Sequence, residues 1–579
     1  MKAGSDGRSV AGRSNVPLLT SAFLASLTTG GNTYAFGIYG SALKKALQLS
    51  QSQLDTISSA NFCAGLLSWI PGLFADKYGP RFALSVGGIL GAASLLSYWV
   101  VAREFVELPR SLLIPSLCTL GVLIFLTNSL VIGGIFKIFV GTCGPGTKGS
   151  AVGAAKGYVG LGSGAYACLF QALRVESSSD LDFLPMAAVF AVLAAAVPAL
   201  ILLPSKENIH FDPAYDRITP LHLRSIYFGL VGLGSLVVGT SIAAILSYDE
   251  ENNGNKGGRH FGMALLLLAF WCGPIVALLF LPTHEEEIVE ETSGQYEPPT
   301  VFLTATADAD KQNSDESTTE NKYEPKNKRD GLTMNVDQSE MPQGYTLYEM
   351  LKTVPAWLFA WICIILVGGG TIMTNNMGQM VEALYFPEVI TPASLALFSA
   401  AQASSRVVTG AVSDWALQWN TTMFGNGVPR PVFLVAASFA GAAAHLLLSV
   451  ASSQGSFVIG VAMSGAAFGM IWPLMVLIVG EVFGTSNVGA NYMFFDGGAS
   501  ALGTLFLSKF VAQTVYEFHI DHDDENSDGL SCYGEECFRA SHLIVALLSL
   551  TCVLASVGML RMTRHAHSGL SLHYDSSLD

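Results

Sequence analysis

The sequence predicts an all-α protein that crosses a membrane many times. Of its 579 residues, 51% are hydrophobic and only 13% are charged, whereas soluble domains carry about 25% charged residues. Apolar runs of about 20 residues, long enough to span the hydrocarbon core of a bilayer, recur along the chain. Because no water satisfies the backbone groups in that core, such runs must form helices.

The apolar segments fall into groups of six, two and six, which makes about fourteen. They cover approximately residues 16–39, 54–74, 82–101, 112–135, 151–173, 183–203, 223–247, 261–281, 356–377, 392–413, 432–450, 457–479, 488–511 and 541–560. The first run is too long for the apolar core of a signal peptide and is expected to be retained. We predict an N-terminal six-helix bundle (16–204), an inserted transmembrane helix pair (205–282) and a C-terminal six-helix bundle (346–562), with tails at 1–15 and 563–579.

The segment 283–345 has a different composition. Between His284 and Glu340 there are 15 acidic and 5 basic residues, so most of the formal charge of −15 lies there. The segment has too little apolar surface to offset the entropy of ordering, and we predict a disordered, acidic, cytoplasmic linker. Acidity confined to a linker gives no reason to expect a nucleic-acid partner.

Lysine and arginine near the helix ends predict the orientation. With the N-terminus in the cytoplasm, the cytoplasmic loops hold about 13 basic residues and the opposite loops about 8. An even number of helices then places both termini in the cytoplasm. The protein itself is expected in the plasma membrane or in a vacuolar or other internal membrane. The loop with Cys532 and Cys537 falls on the other side, where a local disulfide and two free thiols both remain open.

A sequence repeat relates the two bundles. The second apolar segment ends with Gly72, Asp76, Gly79 and Arg81, and the corresponding segment of the second half ends with Gly410 and Asp414. Both copies place Gly-x-x-x-Asp at the same end of the second helix of a repeat. Internal symmetry of this kind is typical of transporters whose site lies between repeats at the middle of the membrane.

The first copy, G-x-x-x-D-x-x-G-x-R, resembles the signature of the major facilitator superfamily in full. The resemblance implies two six-helix bundles that rock about a central site. It also implies that charged residues at the cytoplasmic face hold the bundles together, for which we select Asp76, Arg81, Arg406 and Asp414, with Gly72 and Gly79 allowing tight turns and packing. Ordinary helix-end residues are the alternative interpretation.

Further sequences resemble the nodulin-like branch of that superfamily. They are YAFGIY (34–39), SQLDT (52–56), VGAAKGYVGL (152–161), NMGQ (376–379), PRP (429–431), FGMIWPL (468–474), EVFG (481–484) and CF (537–538). This branch resembles carriers of monocarboxylates and related organic anions. The chain departs from the branch at Asp496, where a small or polar residue is usual, so its coupling chemistry can differ.

Polar side chains inside apolar helices indicate where a solute could bind, because they usually face the protein interior or a water-filled cavity. In the second half, Asn375, Gln379 and Glu382 share one helical face, with Asn376 beside them. Hydrogen bonds between helices are the alternative role for these residues. In the first half the equivalent candidates for substrate binding are Asn32, Tyr34 and Asn128.

Three charged residues and one aromatic residue complete the predicted site. Lys156 could attract a substrate carboxylate or extend its ammonium to the interface. Asp496, together with Glu382, is a candidate for binding a coupling proton or ion, or a structural carboxyl group. Arg406 is expected to form part of the cytoplasmic gate, and direct substrate binding is its alternative role. Trp472 is a candidate for lining the cavity.

These observations predict a secondary active transporter of a small organic solute, working by alternating access as a monomer. A monocarboxylate or another organic anion is the expected substrate. The alternatives are a cation-coupled carrier of neutral or cationic solutes such as amino acids, and a non-transporting receptor or scaffold. The sequence contains no phosphate-binding loop, metal-ligand cluster or nucleophile motif, so we expect neither enzymatic activity nor a cofactor.

Overall fold

The computed structural model describes most of the two predicted bundles. The described ranges are residues 15–34, 36–106, 108–144, 146–173, 179–204, 218–246, 257–282, 344–387, 390–417, 419–421, 425–520 and 532–563. Almost all of the predicted tails and of the predicted linker lies outside these ranges.

The first half of the chain folds into helices along its apolar runs. They are α1 (Val16–Tyr34), α2 (Phe36–Ala46), α3 (Gln51–Cys63), α4 (Trp69–Tyr78), α5 (Pro80–Ala102), α6 (Arg110–Thr142), α7 (Lys148–Leu173), α8 (Phe183–Phe190) and α9 (Val197–Leu202). A short 3₁₀ turn at Ala64–Leu67 lies between α3 and α4, and a π-helical turn at Ala191–Ala196 joins α8 to α9. The predicted second and sixth spans are therefore composite helices.

The inserted pair and the second half follow the same pattern. Their helices are α10 (Pro220–Leu246), α11 (Gly257–Val276), α12 (Leu347–Met350), α13 (Val354–Ala383), α14 (Ile390–Ala416), α15 (Pro431–Ser449), α16 (Gln454–Val482), α17 (Val488–Met493), α18 (Ser500–Gly503), α19 (Gln513–Phe518) and α20 (Glu536–Met562). Two π-helical segments, Phe494–Ala499 and Thr504–Ala512, link α17 to α18 and α18 to α19. A two-stranded ladder, Asn420–Thr421 with Gly425–Asn426, follows α14.

The all-α fold class is confirmed, whereas the number fourteen stays a prediction. Among the described residues, nine helices are long and apolar enough to cross a membrane, or ten if the bent pair 56–78 is one span. The other four predicted segments are also helical. Helix α1 has a short apolar part, α7 and α14 are more polar, and the helix from Val488 to Phe518 is interrupted by π turns.

The helices pack into two halves that meet along a small number of helices. In the first half α1 packs against α6 and α7, and α5 packs against α6; in the second half α15 packs against α16 and α20, and α14 against α16. Between the halves, α7 packs against α14 and α4 packs against α17. These two contacts involve corresponding helices of the repeats and place the functional residues described below.

Short-range sequence signals explain several helix ends. Ser50 and Gln53 form a reciprocal capping box at the start of α3. Gly79 ends α4 at a φ of +85°, a conformation that favours glycine, so α5 can begin at once with Pro80. Thr346 and Glu349 form a capping box at the start of α12, and hydrogen bonds from Thr346 lower the pKa of the exposed Glu349 carboxyl.

Candidate functional site

The carboxylate of Asp76 joins the two halves at one end of the bundle. It accepts hydrogen bonds from the backbone N–H groups of Gly489 (2.9 Å) and Ala490 (2.7 Å), at the start of α17. The ammonium of Lys137 on α6 lies 3.0 Å from Asp76 Oδ1 and also donates to the Ser486 carbonyl oxygen. We call Asp76, Lys137 and these helix-start amides the Asp76 cluster.

The carboxylate of Asp414, in the second half, makes the corresponding contacts with the first half. It accepts from the backbone N–H groups of Gly149 (2.8 Å) and Ser150 (2.7 Å), at the start of α7. Arg430 lies 2.9 Å from Asp414 Oδ1 and 2.6 Å from Glu481 Oε1, and its side chain is fully buried. We call Asp414, Arg430, Glu481 and the α7 amides the Asp414 cluster.

Both clusters use the same physical interaction. The first N–H groups of a helix have no partner within the helix, and a carboxylate satisfies them while its negative charge complements the helix dipole. Because each carboxylate and its amides come from different halves, each cluster holds the halves together. A side chain at Gly72 or Gly410 would clash with the backbone of Gly489 or Gly149, so glycine is needed for this close approach.

A cavity of about 70 Å³ lies between the two halves, farther along the same helices. Both halves contribute to its lining, which includes Thr29, Phe62, Phe125, Asn128, Ser129, Ile132, Lys156, Val159, Val367, Thr371, Arg406, Phe468, Trp472, Asp496, Gly497, Ser500, Ala501 and Thr504. The lining is therefore apolar and aromatic, with a few charged and amide groups. This composition is typical of sites for small molecules.

A buried ion pair crosses the cavity from one half to the other. Lys156 Nζ on α7 lies 2.7 Å from Asp496 Oδ1 in the π-helical segment after α17. Three rings surround the ammonium, with centroids 4.7 Å (Phe136), 4.9 Å (Trp472) and 5.1 Å (Tyr492) away. The Tyr492 hydroxyl also hydrogen-bonds to Asp496. Cation–π contacts of this kind stabilise a desolvated ammonium.

Arg406 brings a second buried cation to the cavity. Its Nη1 donates to the Lys156 carbonyl oxygen at 2.9 Å and its Nη2 to Gln402 Oε1 at 2.8 Å. The guanidinium carbon also lies 5.2 Å from the Trp472 ring centroid. Arg406 was expected at the gate near Asp414, but it lines the cavity, about two helical turns away along α14.

The structure brings some of the predicted substrate-binding residues to the cavity and leaves others elsewhere. Asn128 and Trp472 line it with Lys156, and Asn128 Nδ2 also donates to the Thr29 carbonyl oxygen. Asn375 instead donates to Ser508 Oγ within the second half, and Asn376 donates to the Ile372 carbonyl of its own helix. The Asn375 side chain thus makes a hydrogen bond between helices, which was the alternative interpretation, whereas the Asn376 bond lies within α13.

The remaining predicted residues do not border the cavity. Gln379 and Glu382 are exposed on α13 beyond it, and Glu382 accepts a 3.5 Å hydrogen bond from the Tyr533 hydroxyl. The side chains of Asn32 and Tyr34, near the end of α1, lie outside the described residues. The cavity therefore contains Asp496 but not its predicted companion Glu382.

Two further predictions concern the ends of the molecule. Arg81 Nη2 donates to the Leu200 carbonyl oxygen of its own half, and Lys137 supplies the cation beside Asp76. The structure joins Cys532 to Cys537 by a disulfide just before α20.

In the described part of the chain, no three His, Cys, Asp or Glu side chains are grouped closely enough to hold a metal ion.

Four residues of the clusters and the cavity ion pair were not predicted from the sequence: Lys137, Arg430, Glu481 and Tyr492. A signal existed for Arg430, because Pro429 and Arg430 repeat Pro80 and Arg81 at the start of the third helix of the repeat. No comparable signal marked Tyr492, whose role depends on the ion pair that it contacts.

Residues 21–508 match the sequence profile of the Major Facilitator Superfamily. The chain belongs to this superfamily. It is therefore a secondary transporter of the bilayer and not an enzyme. The nodulin-like assignment is also confirmed, because Protein NUCLEAR FUSION DEFECTIVE 4 of Arabidopsis thaliana, a nodulin-like member, is 23% identical over 96% of this chain and 89% of its own length.

Two other comparisons agree with membership of the superfamily. A probable transporter MCH1 of Yarrowia lipolytica is 27% identical over 33% of this chain and 40% of its own length. The solved structure of the proton:xylose symporter XylE bound to 6-bromo-6-deoxy-D-glucose matches 93% of this chain and 94% of its own, with a TM-score of 0.52 and 11% identity. At that identity the likeness shows the fold alone.

Proposed function

We propose that this transporter carries small organic anions, and monocarboxylates in particular. The observation that supports the proposal is the presence of two buried cations, Lys156 and Arg406, in the cavity between the halves. Only one carboxylate, Asp496, is among the described lining residues. The lining therefore carries a net positive charge in an apolar environment, where electrostatic attraction to an anion is strong.

The size and polar groups of the cavity support a small solute. One water occupies about 10–15 Å³ on the scale in which this cavity measures about 70 Å³, so a molecule of a few non-hydrogen atoms fits. Trp472 and Ser500 line the cavity, and the Trp472 Nε1 and Ser500 Oγ atoms are buried without a hydrogen-bond partner in the described structure. Such groups are usually satisfied in proteins, and the oxygens of a bound carboxylate would satisfy them.

The two clusters provide the gate for alternating access in this proposal. The Asp76 and Asp414 clusters face the cytoplasm, hold the halves closed at that side, and separate when the transporter opens inward. Both termini then lie in the cytoplasm, and the Cys532–Cys537 loop lies on the other side of the membrane. That membrane is the plasma membrane or an internal membrane. Because both halves and the cavity come from one chain, the functional unit is a monomer.

Uptake into proteoliposomes tests the substrate class. Purified protein is supplied separately with radiolabelled L-lactate, pyruvate, oxalate and alanine. We expect lactate or pyruvate uptake above that of empty liposomes, and at least a tenfold loss in Lys156→Ala, because the main cation for the carboxylate is removed. Absence of carboxylate uptake, or uptake unaffected by Lys156→Ala, contradicts the proposal.

A matched control separates a cavity effect from a general effect of losing a lysine. Lys352 lies just after α12, with its ammonium 3.9 Å from the Tyr348 ring centroid and away from the cavity. Lys352→Ala is expected to retain uptake within twofold of the unmodified protein.

The alternative of a cation-coupled carrier for neutral or cationic solutes has less support. It was predicted to use Asp496 and Glu382 together, but Glu382 does not border the cavity and Asp496 is paired with Lys156. Uptake of alanine in preference to lactate and pyruvate would favour this alternative.

A further inference from the structure

The helices α10 and α11 contribute no residue to the cavity lining described above, yet α10 packs against both halves. Its neighbours are α7 of the first half and α14 of the second half, the two helices that meet at the Asp414 cluster. The apolar side chains that α10 buries are spaced by four, three and four residues, so they share one helical face. They are Ile226, Leu230, Leu233 and Val237. Helix α10 therefore lies along the seam between α7 and α14.

The contact of this helix pair with the first half includes a hydrogen bond and stacked rings. The Tyr158 hydroxyl on α7 donates to the Ile226 carbonyl oxygen on α10 at 3.3 Å. The ring of Trp271 on α11 packs edge-on against Tyr166 on α7, with centroids 5.0 Å apart. Lipid tails cannot replace a hydrogen bond, and α10 also packs against α11. The pair is therefore fixed to the first half.

The contact of α10 with the second half is made by apolar side chains where three helices meet. A Cβ atom at Gly157 of α7 would lie 3.3 Å from Leu230 Cδ2 on α10 and 2.9 Å from Val407 Cγ2 on α14. Glycine at this position leaves room for both side chains. Tyr227, three residues before Leu230, lies within electrostatic range of Asp414. Lipid tails are as apolar as these side chains, so α10 can separate from α14 at a lower cost than from α7.

We propose that α10 is a brace of the cytoplasmic gate. It stays attached to α7, holds α14 in place while the gate is closed, and releases α14 when the transporter opens inward. This inference rests on the gate of the proposed function but not on the identity of the substrate. Leu230 is then a positioning residue, because it is not among the residues that line the cavity and acts through the contact between α7 and α14.

The first test is the variant Leu230→Ala in the full chain, reconstituted in proteoliposomes. Cys143 reports the gate, because it is fully buried at the end of α6 and Lys148 lies within electrostatic range of both Cys143 and Asp414. Loss of buried methyl groups weakens packing, and we expect alkylation of Cys143 by a permeant maleimide to become about three- to tenfold faster. Mass spectrometry identifies the modified cysteine. An unchanged rate overturns the inference.

A matched control truncates another side chain of the same helix. Val237 is 7% exposed, compared with 6% for Leu230, and its Cγ1 lies 2.8 Å from the position of a Cβ atom at Gly164 of α7. Val237→Ala therefore weakens packing within the first half, and we expect the Cys143 rate to stay within about twofold. Equal increases in both variants would show that α10 stabilises the fold in general, which overturns the inference.

Cross-linking provides a second test that does not depend on truncation. Leu230→Cys with Val407→Cys joins α10 to α14, whereas Gly164→Cys with Val237→Cys joins α10 to α7 with Cβ atoms 4.0 Å apart. The same short bis-methanethiosulfonate reagent is applied to both pairs. We expect the α10–α14 link to slow Cys143 alkylation about fivefold or more and the α10–α7 link to leave it within about twofold. The reverse pattern, or equal effects, overturns the inference.

The variant Asp414→Asn separates failure of this inference from failure of the proposed gate, because it removes a direct contact between the halves. Faster Cys143 alkylation in Asp414→Asn, with no effect of Leu230→Ala or of the α10–α14 link, overturns the brace alone. If Asp414→Asn also leaves the rate unchanged, the gate of the proposed function fails, and the brace fails with it.

Discussion

In both the Asp76 and the Asp414 cluster, a carboxylate of one half binds the first N–H groups of a helix of the other half, but the cations differ. In the Asp76 cluster, one lysine side chain that is 10% exposed serves one carboxylate. In the Asp414 cluster, a fully buried arginine serves two carboxylates, Asp414 and Glu481. Arg430 also donates to the Ser413 hydroxyl at 2.8 Å. The copy with the degenerate sequence motif therefore has the more buried and more connected ion network.

This difference shows that a complete motif does not mark the stronger contact. A guanidinium has a planar set of five donors and can hold two carboxylates, whereas an ammonium acts as a compact point charge. Loss of a buried partner is more destabilising than loss of a partly exposed one, because the remaining charge stays out of water. The Asp414 cluster should consequently be the less tolerant of substitution.

The largest expected effect is that of Arg430→Met. It removes the cation shared by Asp414 and Glu481, and we expect the free energy of unfolding to fall by about 3–5 kcal/mol. Thermal unfolding of the purified protein in detergent measures this change. Lys137→Met is the matched variant of the other cluster, where a loss of about 1.5–3 kcal/mol is expected, because Lys137 serves a single carboxylate and is partly exposed. Equal effects would contradict the comparison.

An intermediate effect is expected for Asp414→Asn on the closure of the gate. Cys143 is fully buried at the end of α6, and Lys148 lies within electrostatic range of both Cys143 and Asp414. Loss of charged hydrogen bonds worth about 1.5 kcal/mol or more should raise the rate of Cys143 alkylation by roughly tenfold. A permeant maleimide and mass spectrometry measure that rate, with Cys143→Ser as the control for other cysteines.

Asp76→Asn sharpens this measurement. If the halves move as rigid bodies, loosening the Asp76 cluster also exposes Cys143, but by a smaller factor than Asp414→Asn does. No change in Asp76→Asn would show that the two clusters open independently.

The smallest effect is expected for Arg81→Ala, although Arg81 completes the sequence motif. Its guanidinium donates to Leu200 within the same half, so its loss should change the free energy of unfolding by about 0.5 kcal/mol or less and leave Cys143 alkylation unchanged. The same two assays apply. An effect as large as that of Asp76→Asn would place Arg81 in the Asp76 cluster.

The amino-acid sequence determined the helical membrane fold, the repeat and the family. Apolar runs must form helices in a bilayer because the peptide groups have no other partners there, and this follows from composition alone. The motif residues Asp76 and Asp414 were located by the same local reasoning. Polar residues on apolar helices were also recognisable as candidates, since such residues are costly in lipid.

Which of these candidates meet depends on how the chain packs in three dimensions. Lys156 and Asp496 are separated by 340 positions along the chain, and each alone was compatible with several roles. Asn375 lies on the predicted cavity face but donates to Ser508 of a neighbouring helix, and Asn376 donates to a carbonyl of its own helix. Arg406 faces the cavity and not Asp414. Helical periodicity defines which residues share a face, but the partner of that face depends on how the two halves pack, and this packing is a property of the whole chain.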